Sequence, residues 1–161
     1  MPPIDFDSLS SSDLAYAAGL FDGEGHICIY YSTSGRTKKS YPRYGLRVQI
    51  GQTEIAAIKW MHETFGGNVT RSRHKISYKS GNHERWNWTV ATGRAAQFLR
   101  ATRPFLKLKG DEADIAIAFQ ASMMITGRQT LPENVVAFRK DCYEEIRAIR
   151  HKKRALNASR L

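Results

Sequence analysis

The chain has 161 residues, 42% hydrophobic and 11% aromatic, with 25 lysines and arginines against 15 aspartates and glutamates. That is enough apolar content for a buried core and too much for a disordered chain, and the net charge of +10 asks for a polyanion, nucleic acid first. No basic amphipathic helix or long apolar run points to a membrane, no secretory leader is read at Met1–Asp7, and Cys28 and Cys142 stand in unrelated contexts, so an intracellular protein without disulfides or zinc is expected.

Residues 8–13, SLSSSD, are rich in capping side chains and start the first helix near Ser11–Asp13. That helix runs through Leu14 to Gly25. Helical spacing puts Ala15, Ala18, Gly19 and Asp22 on one nearly bare side, which lets another backbone approach closely. Gly23 and Gly25 are expected to end the helix, glycine being at ease with positive φ. Between them stands Glu24, an acid at the negative end of a helix, unfavourable alone and favourable with a cation on it. Hard divalent cations take carboxylate and main-chain oxygens, and both are on offer there.

His26 to Tyr31 is a β-branched and aromatic run and reads as a strand; residues 32–42 read as a polar, basic loop. From Arg43 the chain alternates: Leu46, Val48 and Ile50 point one way, Arg43, Arg47 and Gln49 the other. Guanidinium and amide groups read base edges and phosphates, and a merely solvated strand face is the bland alternative. Ile55 to His62 has helical period and stops at Phe65-Gly66-Gly67. A second strand pair follows, Val69 to Tyr78 and Glu84 to Ala91, joined by a turn at Ser80-Gly81-Asn82, with Trp86, Trp88 and Val90 sharing one face by alternation. Thr92 to Arg103 is a helix broken at Pro104, residues 113–120 form an apolar helix, and a final helix passes Val135, Phe138, Ile146 and Ile149. It ends in His151-Lys152-Lys153-Arg154, cations that suit a helix C-terminus and could equally hold phosphate. The order α-β-β-α-β-β-α, followed by helices, is an α+β class: a four-stranded antiparallel sheet backed by helices, as one domain over residues 1–161.

Residues 17–25, AAGLFDGEG, resemble the LAGLIDADG motif of homing endonucleases. Ala18, Gly19, Leu20, Asp22 and Gly25 match it, Ala17, Phe21 and Gly23 are variants, and Glu24 replaces the second aspartate. The resemblance implies a curved saddle of sheet lying in the major groove of double-stranded DNA. It implies that Glu24 is catalytic and, with the carbonyl of Gly23, holds Mg2+ or another divalent cation such as Mn2+ at the scissile phosphate. A single copy of the motif implies a symmetric homodimer through Ala15, Ala18, Gly19 and Asp22 on a pseudo-palindromic site, with Asp22 structural rather than a ligand.

Residues 104–109, PFLKLK, are identical to a segment of some single-motif members, which gives Lys109 the stabilisation of charge at the cleaved phosphate. Gln52 corresponds to a glutamine that orients water. The basic residue that such members carry in the second helix has no counterpart in residues 55–58, and Lys59 is the nearest substitute. A gap-free comparison counted back from residue 104 would turn Trp86 and Trp88 to the DNA, against the alternation, which is preferred. DNA contacts are expected from Tyr30, Ser32, Arg36, Arg43, Arg47, Gln49, Arg71, Arg73, Lys75 and Arg85. The expected activity is metal-dependent, site-specific double-strand cleavage. A non-cleaving binder, such as an intron RNA maturase or a regulator, and a basic scaffold protein are the competing readings; the joint presence of Glu24, Gln52 and Lys109 speaks against the first, and the second leaves the Gly23-Glu24-Gly25 helix end unexplained.

Overall fold

The computed structural model describes residues 4–32, 43–74, 83–123 and 131–159. The expected loop over 33–42 and turn at 80–82 lie outside them, as do Arg36 and Lys75. Ser10 opens the first helix, α1 (Ser11–Glu24), its hydroxyl accepting the Asp13 N–H at 3.1 Å. Then follow β1 (Gly25–Ser32), β2 (Arg43–Gln52), α2 (Ile55–Phe65), β3 (Asn68–His74), β4 (His83–Ala91), α3 (Thr92–Thr102), α4 (Gly110–Ser122) and α5 (Glu133–Ala158). Pro104 sits in a 3-10 turn, Arg103–Phe105, between α3 and α4.

The strands form one antiparallel sheet in the order β1-β2-β4-β3. Register decides which residues share a face. Ile27, Val48 and Val90 lie in one row across three strands, and Ile50, Trp88 and Val69 in another. These rows meet the helices. Phe98 of α3 is the hub of the core, with ring centroids 5.3 Å from Phe21, 5.1 Å from Phe65 and 5.0 Å from Trp88. Edge-on contacts of this kind suit aromatic quadrupoles. Trp88 is fully buried and its indole N–H donates to the Gly66 carbonyl at 2.7 Å, so the polar handle is satisfied. Trp86 is half-buried on the same face, against the core. Alternation was therefore the right guide for both tryptophans. The bend that presents the Gly66 carbonyl uses φ of 66° at Gly66 and 90° at Gly67, which side-chain-bearing residues rarely adopt.

The end of α1 departs from expectation in one respect. Gly23 lies within the last turn and Gly25 has φ −79°, so neither is left-handed. Glycine is needed at 25 for space: a Cβ there would overlap the Phe21 ring. At the other side of the fold, α5 packs on α4 and on β1, with the Tyr143 ring 5.7 Å from that of Tyr44. A helix along an edge strand shields its unpaired backbone groups.

Candidate functional site

Two acids close α1, and they face opposite ways. Asp22 is buried at 9% exposure. Its carboxylate accepts the backbone N–H of Lys107 at 2.6 Å, of Leu108 at 3.1 Å and of Lys109 at 3.0 Å. The ammonium of Lys109 in turn donates to the Asp22 carbonyl, capping the negative end of the helix. The segment 104–109 is thus sewn to α1. Arg103 and Asp114 clamp it from one side with two bonds of 2.7 Å, and Lys153 of α5 clamps it from the other, donating to the Leu108 carbonyl at 2.8 Å and to buried Glu112 at 2.7 Å. Burial lowers the pKa of Lys109, Asp22, Glu112 and Glu24 pull it back up, and Lys153 pushes it down.

Glu24 is exposed. It stands at the rim of a polar hollow of about 330 Å³ that opens on the sheet face away from the helices. Gln49, Asn87 and Ser72 wall the hollow through one chain of bonds across three strands: Gln49 Nε2 donates to Asn87 Oδ1 at 3.1 Å, and Asn87 Nδ2 donates to Ser72 Oγ at 3.1 Å. Arg85 leans over Gly51 and donates to its carbonyl at 3.2 Å; a Cβ at 51 would collide with that guanidinium. His26 completes the wall. Its pKa is lowered by burial first, then by Arg150, Arg47 and Arg154, against Glu112. Farther along the same face the Tyr30 ring lies over Gly45, with the Arg47 guanidinium 5.9 Å from its centroid.

By register this open face carries His26, Tyr30, Ser32, Arg43, Arg47, Gln49, Asn68, Thr70, Ser72, Arg85, Asn87 and Thr89. Among the described residues it bears no acid. A cationic and amide-rich surface with a lone carboxylate at one end can bind a polyanion and bring a hard cation to it. The donor chemistry suits such a cation: Glu24 and the Gly23 carbonyl are oxygen donors, while Asp22 is committed to three N–H groups. Among the described residues no group of three or more acidic, histidine or cysteine ligands comes together.

Neither a protein-family model nor a curated protein matches the sequence. Solved structures do match. The archaeal intron-encoded homing endonuclease I-Vdi141I, complexed with DNA, aligns over 85% of this chain and 83% of its own, with a TM-score of 0.66 and 12% identity. The homing endonuclease I-CvuI, in complex with the I-CreI target in the presence of Mg, aligns over 84% and 94%, with a TM-score of 0.57 and 14% identity. The LAGLIDADG endonuclease I-LtrWI, bound to its target DNA, aligns over 89% of this chain and 46% of its own, with a TM-score of 0.59 and 16% identity. This is the LAGLIDADG homing-endonuclease fold. The chain spans most of I-Vdi141I and I-CvuI and under half of I-LtrWI.

On the LAGLIDADG fold the expected site residues sort as follows. Glu24 and Gly23 end α1 at the hollow, and Lys109 comes to the same helix end from a distant part of the chain. Tyr30, Ser32, Arg43, Arg47, Gln49 and Arg85 are on the open face. Arg71 is not: it falls in register with Trp86, on the helix side, and the backbone of Arg73 pairs with Glu84. Arg71 ion-pairs with Glu84 and lies 5.6 Å from the Trp86 ring. The strand's open face carries Asn68, Thr70 and Ser72, which their lack of charge concealed. Gln52 is the last residue of β2, opposite Trp86 on the helix side, and Gln49 is the glutamine that lines the hollow.

The bare stripe of α1 is also rotated from its expected position. Ala18 and Asp22 face the core, with Ala17 and Phe21. The outward residues are Ser12, Ala15, Tyr16, Gly19 and Gly23, and a Cβ at Gly19 or Gly23 would meet nothing within 4 Å. His26, Ser72 and Asn87 were missed as site residues. Period-two counting from the buried tryptophans would have found Asn87.

Proposed function

We propose that this chain is a divalent-metal-dependent, site-specific DNA endonuclease that works as a homodimer on double-stranded DNA. The observation that carries this reading is the exposed Glu24 at the edge of an arginine-bearing sheet face that has no acid among the described residues, on a helix whose outward side is small but for Tyr16. Two α1 helices that nest through Ala15, Gly19 and Gly23 bring two such carboxylates together, which a two-fold interface requires to happen symmetrically. Asp22, fixed inside each protomer, then holds the helix end rigid and takes no part as a ligand.

Glu24 and the Gly23 carbonyl would hold the cation, and Mg2+ bound there supplies Lewis acidity at the phosphate and an acidified water. The chain's own residues do the rest. Arg43, Arg47 and Arg85 neutralise backbone phosphates and hold the duplex against the sheet. Gln49, its amide nitrogen held by Asn87, keeps its carbonyl oxygen for a donor on a water or a base edge. Lys109 places a positive charge at the helix end beside Glu24, where negative charge grows on the phosphate as the bond breaks.

The test is incubation with a library of duplex sites and Mg2+, followed by sequencing of cut ends. Wild type is expected to cut a limited set of pseudo-palindromic sites, to stop with EDTA, and to stop on Glu24→Gln while the variant still binds duplex. Full cleavage by Glu24→Gln, or a wild type that binds duplex and never cuts, would overturn the reading.

A further inference from the structure

The wall of the hollow is wired in one direction. Its three side chains lie on a diagonal across the sheet: Gln49 on β2, Asn87 on β4 opposite Gly51, and Ser72 on β3 opposite Arg85. Past Ser72 the chain of bonds runs on to the backbone, where the Ser72 hydroxyl donates to the Arg85 carbonyl at 3.3 Å. Gly51 leaves room for the arrangement, since a Cβ there would stand 2.8 Å from Asn87 Oδ1.

A backbone carbonyl can only accept. The Ser72 hydroxyl has one hydrogen and commits it there, so toward Asn87 it can only accept. Asn87 must then turn its NH2 to Ser72, at 3.1 Å, and its oxygen to Gln49. Gln49 in turn must offer its NH2 to that oxygen, again at 3.1 Å. Reversing Asn87 would set N–H against N–H on one side and oxygen against oxygen on the other. The orientation of Gln49 is thus dictated by a main-chain atom of β4, three hydrogen bonds away. What it leaves at the hollow is Oε1, which no donor among the described residues reaches, and the second hydrogen of Nε2.

We propose that Ser72 is a positioning residue for base readout: through Asn87 it locks Gln49 with acceptor and donor in the order that matches N6 and N7 of adenine, so that this point of the sheet selects adenine over guanine. This rests on the site-specific DNA binding proposed above. Adenine presents an amine beside a ring-nitrogen acceptor at its major-groove edge, the partner set of a glutamine amide, whereas guanine presents two acceptors, O6 and N7. A glutamine free to turn can give its NH2 to guanine O6. A locked one meets O6 with its own oxygen. Ser72 therefore sets the preference without touching the base.

The experiment selects bound sites from a random duplex library in EDTA, where nothing is cut. The bound pools are sequenced for wild type, Gln49→Ala, Ser72→Ala, Ser72→Thr and the double variant Ser72→Ala/Asn87→Asp. Wild type is expected to favour adenine over guanine about tenfold at one position of the half-site, the discrimination a bidentate contact carries. Gln49→Ala identifies that position by losing the preference. Ser72→Ala is expected to level adenine and guanine there, with the other positions and the salt dependence of binding unchanged. Ser72→Thr keeps the hydroxyl and is expected to keep the preference. In the double variant a carboxylate at 87 only accepts, so it holds the Gln49 NH2 without help from residue 72 and is expected to restore the preference. An adenine preference that survives Ser72→Ala would overturn the proposal, as would a loss that Ser72→Thr and the double variant share, or a Gln49→Ala pool identical to that of wild type. A wild type that binds duplex with no sequence preference, or does not bind it, would instead overturn the function on which the proposal rests.

Discussion

The inward and outward sides of one helix end are made of the same residue types and do opposite work. Inward, Asp22 and Gly25 are fully engaged: the acid by three N–H groups of a distant segment, the glycine by the Phe21 ring that leaves no room for a Cβ. Outward, Glu24 is exposed at the hollow, and a Cβ on Gly19 would meet nothing within 4 Å. An acid and a glycine that satisfy the fold, set two to six residues from an acid and a glycine that do not, teach that the motif holds two separate layers. One builds the protomer. The other is kept free for what lies outside it.

Substitutions can break that division. Asp22→Ala should give the largest effect, a loss of about 4 kcal/mol in stability, because three backbone donors lose a buried, charged acceptor. Glu24→Ala, two residues on, should stay within about 0.5 kcal/mol. Chemical denaturation of both variants checks the contrast, and equal losses would dissolve it. Gly25→Ala should cost about 2 kcal/mol through overpacking against Phe21, read in the same way. Gly19→Ala should have the opposite sign: roughly 0.5–1 kcal/mol more stable as a protomer, since alanine favours the helix and its Cβ meets nothing. The proposed pairing through α1 should weaken in the same variant, read as a lower solution mass by sedimentation equilibrium.

The smallest expected effect concerns the clamp that holds the Lys107–Lys109 segment in place. Asp114 is held below its ordinary value of 3.8 by the Arg103 hydrogen bond. The folded state therefore binds that proton more weakly than the unfolded chain, and the clamp's stabilisation is present above 3.8 and lost as pH falls through the lowered value. The gap in melting temperature between wild type and Asp114→Asn should be small at neutral pH, the pair being exposed, and should close in acid.

Much of this was legible in the sequence because its signals are local. Capping serines placed the start of α1, period two placed β2 and the tryptophans, and Gly66-Gly67 placed the end of α2. The AAGLFDGEG stretch gave the site acid. What was not legible depends on rotation and on distance. Alanine suits either side of a helix, so Ala18 could not be told from Ala15 until Phe21 chose the core. Arg71 drew attention by charge, yet its parity sends it to the helix side, and uncharged Ser72 reaches the hollow instead. Nothing in the sequence sets α5 along the edge strand β1, because that packing joins segments far apart in the chain.

Tyr30 lies across Gly45 because that neighbour has no methyl group to hold it off. The height of an aromatic floor above the sheet, and the aim of the Arg47 fork beside it, are set by an absence. An alanine at 45 would tilt the phenol and swing the guanidinium with it. Target preference could then drift through a position that never meets the target.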